Sequence, residues 1–98
     1  MLVLGYADWC GHCKNFMPTW NEFKAKHGNV IDIRELNADK DKQEIENLGI
    51  RGFPTLLMLN GKKKIKYEGE RTLPALEAFV KTHLNPHVKD NLKNYRSM

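Results

Sequence analysis

The alternation of apolar and polar positions divides the chain into seven elements. Short apolar runs predict buried strands, and apolar residues spaced three and four positions apart predict amphipathic helices. The predicted strands are Leu2–Tyr6, Val30–Leu36, Thr55–Leu59 and Lys63–Tyr67, and the predicted helices are Cys10–His27, Asp39–Leu48 and Leu73–Leu84. The order β-α-β-α-β-β-α is typical of an α/β fold. Strands joined through helices are expected to be parallel neighbours with right-handed crossovers.

Turn and breaker residues set the limits of these elements. Asn60-Gly61 is a strong hairpin signal, so the last two strands are expected to be antiparallel. Gly49 suits the left-handed position after the second helix, and Thr72 is a suitable N-cap for the last one. Asn85-Pro86 ends that last helix, and Pro18 is expected to kink the first.

Composition limits the chain to one domain. It has 98 residues, of which 41% are hydrophobic and 29% charged, which is too apolar for a disordered chain and too short for a two-domain enzyme. Two helix faces supply the candidate core. They carry Phe16, Trp20 and Phe23 in the first helix and Leu73, Leu76, Phe79, Val80 and Leu84 in the last. We predict a domain at residues 1–85 and a polar tail at residues 86–98.

Charge adds little to this picture. Sixteen Lys and Arg against twelve Asp and Glu give a net charge of +4, which is compatible with an acidic partner or nucleic acid. Interspersed acids and the lack of interleaved aromatic residues favour a solvated surface, so we predict no nucleic-acid partner. No apolar run approaches the roughly 18 residues of a membrane span, and Met1–Gly5 does not form a signal peptide as written. These features predict no membrane association and favour the cytoplasm.

The candidate chemistry lies at two cysteines three residues apart. Cys10 falls where a strand becomes a helix, and the helix N-terminus favours its thiolate, which can then attack a disulfide. Cys13 lies one turn further on the same face, where it can close a disulfide or resolve a mixed one. His12 between them is expected to add positive charge near Cys10, which stabilises the reduced form.

The surrounding residues resemble a known family. Tyr6-Ala7-Asp8-Trp9-Cys10-Gly11-His12-Cys13-Lys14 is similar to the active-site signature of protein disulfide isomerase domains in the thioredoxin superfamily. Three further motifs follow in the family's order. These are Asn37-Ala38-Asp39 after a strand, Gly49-Ile50-Arg51-Gly52-Phe53-Pro54-Thr55 at the family's cis-proline loop, and Tyr67-Glu68-Gly69-Glu70-Arg71-Thr72 before the last helix. The similarity covers about residues 3 to 84.

The resemblance implies a truncated thioredoxin fold. Its expected sheet has four strands of mixed direction flanked by helices, because the family's first β-α unit has no counterpart before Leu2. The strand Val30–Leu36 then becomes an edge. The missing unit could be replaced by the polar tail or by dimerisation, or it could have no replacement. We predict a monomer.

The function that the resemblance implies is thiol–disulfide oxidoreduction of the disulfide isomerase type. Cys10 is the expected nucleophile and Cys13 the resolving cysteine, acting on cysteine-containing protein substrates. No cofactor or metal is expected, but glutathione or a redox partner protein must reset the site. The His12 motif favours oxidation or isomerisation, which would suit the endoplasmic reticulum lumen. This conflicts with the cytoplasmic location that the lack of a signal peptide favours. Action in the host cytoplasm, as for short viral relatives, would reconcile the two.

The family's substrate site implies further residues. The Phe53-Pro54 bond is expected to be cis and to face Cys10, the alternative being a rigid turn with a trans bond. In the family this loop pairs with an extended substrate segment. Gly11 and Trp9 complete the expected substrate surface, although Trp9 has the alternative of a core position.

Two charged residues are candidates for tuning the cysteines. Arg71 matches an arginine proposed to swing toward the second cysteine, and the alternative is a solvated surface charge. The family's buried acid, six residues before the first cysteine, is Leu4 here, whereas a family lysine is Glu35. We hypothesise that Glu35 replaces the missing base near Cys13, with a raised pKa, unless the strand register turns it outward.

Two alternatives belong to other classes of protein. Cys10, Cys13, His83 and His87 have finger-like local spacings for zinc, but the gap between the pairs is far too long. We expect His27, His83 and His87 to be ordinary surface residues. A non-catalytic binding adaptor is the second alternative, against which the intact Cys10 and Cys13 argue.

Overall fold

The structure, a computed structural model, describes residues 1–83. Its elements are β1 (Leu2–Tyr6), α1 (Gly11–His27), β2 (Ile33–Asn37), α2 (Lys42–Asn47), β3 (Thr55–Asn60), β4 (Lys63–Lys66) and α3 (Leu73–His83). This order confirms the seven predicted elements, with β2 and α2 shorter than expected. Leu84, the boundary predicted at residue 85 and the tail at residues 86–98 lie outside the described residues.

The four strands form one mixed sheet in the order β2-β1-β3-β4. β1 pairs in parallel with β2, with Leu4 opposite Glu35. β3 runs antiparallel to both β1 and β4, and Asn60 pairs with Lys63 across the predicted hairpin. The four-stranded mixed sheet and the edge position of the second strand are therefore confirmed.

One expectation about connectivity was wrong. β2 and β3 are joined through α2, yet they are not neighbours and they run in opposite directions. The six residues of α2 rise about 9 Å, whereas a five-residue strand spans about 17 Å, so α2 does not return the chain along the sheet. β3 consequently starts at the end of β1, with Thr55 opposite Gly5. This connection brings the residues just before β3 to the same end of the sheet as Cys10.

Each face of the sheet has its own core. One face packs against α1 and α3 in a cluster that includes Trp20 and Phe23 from α1 and Leu76 and Val80 from α3. The opposite face packs against α2 and the chain after it. This second cluster consists of Val3, Leu36, Ile45, Ile50 and Leu57. The strands are therefore covered on both sides, as expected for an α/β fold.

The turn and capping residues have the roles that the sequence predicted. Gly49 adopts φ +72° directly after α2, and Gly61 adopts φ +61° in the hairpin. The hydroxyl of Thr72 accepts a hydrogen bond from the backbone N–H of Ala75 at 3.4 Å, which confirms it as the N-cap of α3. α1 continues through Pro18 to His27. No helix among residues 1–83 has the length and apolar character required to cross a membrane.

His27 is not the surface residue that we expected. It is only 4% exposed, and its ring packs against Phe23 at a centroid distance of 5.1 Å. Its Nε2 lies 2.7 Å from Oε2 of Glu77 in α3. Position 27 continues the apolar stripe of α1, since it is four residues after Phe23, and the imidazole thereby links α1 to α3.

Candidate active site

Cys10 caps the helix that carries the candidate site. β1 ends at Tyr6, and Cys10 precedes α1 with extended backbone angles, φ −89° and ψ 118°. Its Sγ accepts a hydrogen bond from the backbone N–H of Cys13 at 3.3 Å. This N–H is one of the donors that a helix leaves unpaired in its first turn. The predicted position of Cys10 at a helix N-terminus is therefore confirmed.

The environment of Cys10 favours its thiolate. A hydrogen bond from the Cys13 thiol is the main cause of a pKa below the ordinary thiol value of 9.0. Partial burial, at 8% exposure, acts in the opposite direction. The backbone N–H groups of Cys13 and His12 and the charge of Arg71 lower the pKa further. A thiolate so stabilised is the form of cysteine that attacks disulfides.

Cys13 has the opposite character. It is 2% exposed, and burial raises its pKa to about 11. The hydrogen bond and the charge of Cys10 add to this rise, while the backbone N–H of Ala7 and the charge of Arg71 oppose it. Both cysteines are free thiols. The pair is thus asymmetric, since the pKa of Cys10 is lowered and that of Cys13 is raised.

The loop before β3 closes the site from the opposite side. The Phe53-Pro54 peptide bond is cis, as the resemblance implies. The Cys10 thiol donates a hydrogen bond to the carbonyl oxygen of Phe53 at 3.3 Å. Trp9 is 66% exposed and meets the Phe53 ring edge to face at 5.9 Å, so it is a surface residue and not part of the core. Phe53 therefore contacts both the reactive thiol and the exposed aromatic ring.

The first two residues of α1 lie on the surface beside Cys10. Gly11 and His12 are both exposed. A Cβ placed on Gly11 would meet no atom within 4 Å, so the space around this position is open. His12 acts on Cys10 through its backbone N–H, and the role expected of its side chain stays a prediction.

Arg71 lies close enough to the pair to affect both thiols. It precedes α3 and lines a groove of about 510 Å³ together with Pro54 and Phe16. Its charge lowers the pKa of Cys10 and of Cys13. This position supports an electrostatic role over that of a remote surface charge, and the predicted swing toward Cys13 stays a prediction.

The raised pKa that we expected for Glu35 was wrong. Its carboxylate is 35% exposed and accepts hydrogen bonds from Trp20 Nε1 at 2.6 Å and Lys24 Nζ at 2.9 Å. Partial burial favours a higher pKa, but the bonds from Lys24 and Trp20 outweigh it and hold the pKa below its ordinary value. Trp20 lies seven residues beyond Cys13, about 10 Å along α1. Glu35 therefore ties β2 to α1 and is not a poised base beside Cys13.

The buried amide of Asn37, which the sequence offered only as part of a family motif, links the chain after β2 to the segment before Cys10. The side-chain oxygen of Asn37 accepts hydrogen bonds from the backbone N–H groups of Asp39 at 2.8 Å and Lys40 at 3.2 Å. Its Nδ2 donates to Asp8 at 3.3 Å, two residues before Cys10. The available signal was an Asn directly after an apolar strand, a residue type that commonly pairs with nearby backbone in turns.

The distance between His83 and the two cysteines argues against the zinc site considered as an alternative. Thr55 starts β3 near Cys10, whereas Asn60 at its other end donates to the backbone carbonyl of His83 at 3.3 Å. Five strand steps separate these ends by about 17 Å, so His83 does not share a metal with the cysteines. Within residues 1–83, no three His, Cys, Asp or Glu side chains are grouped to hold a metal ion. His87 lies outside the described part of the chain.

Comparisons with known proteins agree with this geometry. The thioredoxin family profile matches residues 1–82. "Protein disulfide-isomerase like 2-2" of Arabidopsis thaliana is 32% identical over 93 residues, covering 94% of this chain and 21% of the relative. "Protein disulfide-isomerase A6" of Mus musculus is 36% identical over 93 residues, covering 93% and 21%. The chain thus spans about a fifth of the length of these relatives.

A solved structure provides an independent comparison. The crystal structure of the J-Trx1 fragment of ERdj5 superimposes with a TM-score of 0.77 at 30% identity, covering 84% of this chain and 40% of that one. The similarity therefore includes the arrangement of the elements as well as the motifs. Since the family profile extends over nearly all of the described residues, this chain belongs to the thioredoxin family.

Proposed function

We propose that the chain is a thiol–disulfide oxidoreductase of the disulfide isomerase type. The asymmetry of the cysteine pair carries this proposal, since one turn of α1 combines a thiol of lowered pKa with a buried thiol whose pKa is about 11. Such a pair suits attack by one cysteine and delayed attack by the other. The names of the disulfide isomerase relatives support the same activity.

Reduction of a substrate disulfide then takes two exchange steps. The Cys10 thiolate attacks one substrate sulfur, forms a mixed disulfide and expels the other sulfur, which takes up a proton. Cys13 loses its proton and attacks the sulfur of Cys10, which expels the second substrate sulfur as a thiolate. Two electrons pass to the substrate, and a Cys10–Cys13 disulfide remains. The same steps in reverse form a disulfide, and attack without resolution allows isomerisation.

The surrounding residues assist these steps without a cofactor. Burial keeps Cys13 protonated while Cys10 attacks, which limits premature closure of the pair. The charge of Arg71 favours the thiolate that Cys13 must become. Trp9 and Phe53 offer an apolar surface to the substrate, and backbone groups beside Pro54 can pair with an extended segment. We propose cysteine-containing proteins as substrates of a monomeric enzyme, with glutathione or a redox protein resetting the pair.

Insulin reduction in the presence of a thiol regenerant tests the proposal. The wild-type chain should accelerate precipitation of the insulin chains, and Cys10→Ser should abolish the acceleration because it lacks the nucleophile. Lys26→Gln, an exposed change in α1, serves as the matched surface control and should retain the wild-type rate. An inactive wild type, or full activity in Cys10→Ser, would overturn the proposal, and the former would favour a binding adaptor.

A further inference from the structure

A second groove beside the cysteine pair has an unbalanced charge. It encloses about 480 Å³ between the loop before β3 and the strand β4. Its lining combines apolar side chains, among them Ile50 and Leu57, with four cationic ones, Arg51, Lys64, Lys66 and Arg71. No carboxylate from residues 1–83 lines it. This feature is called the basic groove below.

The strand register explains why the lysines enter the groove. Lys66 pairs with Leu57 and Lys64 pairs with Leu59, so both lysines share a sheet face with these leucines. α2 packs on β2, at the opposite edge of this face. On this face α2 covers the β2 edge, and lysine side chains line the β4 edge.

Among the described residues, none of the four cations of the groove takes part in an ion pair. Lys64 donates a hydrogen bond to the carbonyl oxygen of Leu48 at 2.8 Å, so it also serves to cap the end of α2. Within residues 1–83, no carboxylate forms an ion pair with Arg51, Lys66 or Arg71. A concave surface lined by charge of one sign concentrates the field and attracts ligands of the opposite sign.

The basic groove is continuous with the substrate side of the cysteine pair. Phe53 and Pro54 belong to its wall, and the carbonyl of Phe53 accepts the hydrogen bond from Cys10. Leu57, which pairs with Lys66, comes three residues after Pro54, about 10 Å along an extended chain. A substrate segment passing over Pro54 would reach Lys66 within two to four residues of its reacting cysteine.

The other groove at the site differs in charge. The groove of about 510 Å³ on the far side of Arg71 is lined by Glu68 and Glu70. The two surfaces that flank Arg71 are thus positive and mixed, respectively. This difference gives the site a polarity that an extended substrate can match in only one orientation.

We propose that the basic groove binds an acidic stretch of the substrate polypeptide close to its reacting cysteine. The proposal rests on the function proposed above and names its preferred substrate class. Other occupants fit less well by charge. A second copy of the chain carries a net charge of +4, and the residues from 84 onward contain Lys89, Lys93 and Arg96 against a single acid, Asp90.

The first test measures binding without chemistry. A peptide with serine in place of its cysteine is prepared in two versions, one with Asp and Glu at positions two to four from the serine and one with Asn and Gln there. Binding to the wild-type dithiol chain is followed through the fluorescence of exposed Trp9 at low salt. The acidic peptide should bind about tenfold more tightly, and the difference should shrink as salt screens the charges.

Charge-matched variants assign the effect to the groove. Arg51→Gln/Lys66→Gln should remove most of the difference between the two affinities, with Lys64 and Arg71 retaining the rest, whereas Lys26→Gln/Lys62→Gln removes the same charge elsewhere and should keep the full difference. Equal affinities in the wild type, or the same loss in both double variants, would overturn the proposal. Tighter binding of a single-stranded oligonucleotide with the same dependence on Arg51 and Lys66 would overturn it too.

The second test separates this proposal from the function on which it rests. Disulfide-linked versions of the two peptides are used as substrates, and the ratio of their exchange rates should follow the ratio of affinities. Exchange with neither peptide would contradict the oxidoreductase function, while the affinities above would still decide the groove's preference. Rapid exchange at equal rates would support the function and reject the acidic preference.

Discussion

The difference between the two thiols predicts selective alkylation at neutral pH. A pKa of about 11 leaves about one Cys13 in ten thousand as thiolate at pH 7, against about one in a hundred for a thiol with the ordinary value of 9.0. Cys13 should therefore react with iodoacetamide about a hundredfold more slowly than an ordinary thiol, and its burial should slow it further. Cys10 should react faster than an ordinary thiol because its pKa is lowered.

Changing Cys13 tests the cause of the lowered pKa at Cys10. The Cys13 thiol supplies the main stabilising hydrogen bond, so Cys13→Ala should move the midpoint of Cys10 alkylation to higher pH. Cys13→Ser is the matched control, because its hydroxyl can still donate and should retain more of the shift. The rate at each cysteine is followed by mass spectrometry of quenched samples between pH 5 and 11. Equal rates at both cysteines in the wild type, or a lower midpoint in Cys13→Ala, would refute the reasoning.

Three further changes test other parts of the structure. Glu35→Gln should lower the free energy of unfolding by about 1 kcal/mol at pH 7, because Lys24 loses its ion-pair partner. The effect stays this small because both side chains are 35% exposed and solvent screens their attraction. A lowered pKa in the folded state adds stability that is fully present above the ordinary value of 4.5 and is lost as pH falls through the lowered pKa. The difference from wild type in urea melts should therefore disappear at the acid end, and a constant difference would contradict this assignment. Arg71→Gln should raise the alkylation midpoints of both cysteines, and unchanged midpoints would place its charge elsewhere. Gly5→Ala should cost about 1–3 kcal/mol in thermal or urea unfolding, since the added Cβ would lie 3.1 Å from Ile50 Cδ1, and a neutral effect would show that Ile50 moves freely.

Most of the fold follows from signals that act over a few residues. Apolar periodicity located most elements and the Asn60-Gly61 turn located β4. Gly49 and Thr72 marked helix limits because their conformation and hydrogen bonds are local. The direction of β3 did not follow in this way. It depends on the length of α2, and the pattern overestimated that helix because residues before Lys42 form turns around Asn37.

The site shows the same division between local and non-local causes. The position of Cys10 could be predicted because a strand-to-helix junction and a CxxC spacing lie within one short segment. The state of Glu35 could not, because its pKa depends on Trp20 and Lys24, which approach it only when α1 packs on β2. The basic groove likewise arises from the pairing of β4 with β3. Composition showed an excess of lysine but not that four cations share one concave surface.

Trapping of a mixed disulfide tests the central claim most directly. Cys13→Ser keeps the proposed nucleophile and lacks the resolving thiol, so incubation with a disulfide-bonded protein should accumulate a covalent complex through Cys10. Cys10→Ser should form none at neutral pH, because the remaining thiol is buried and has a pKa raised to about 11 in the wild-type pair. Non-reducing electrophoresis and mass spectrometry identify the linked residue. A complex formed equally through Cys13, or no complex with either variant, would contradict the assignment of Cys10 as the attacking cysteine.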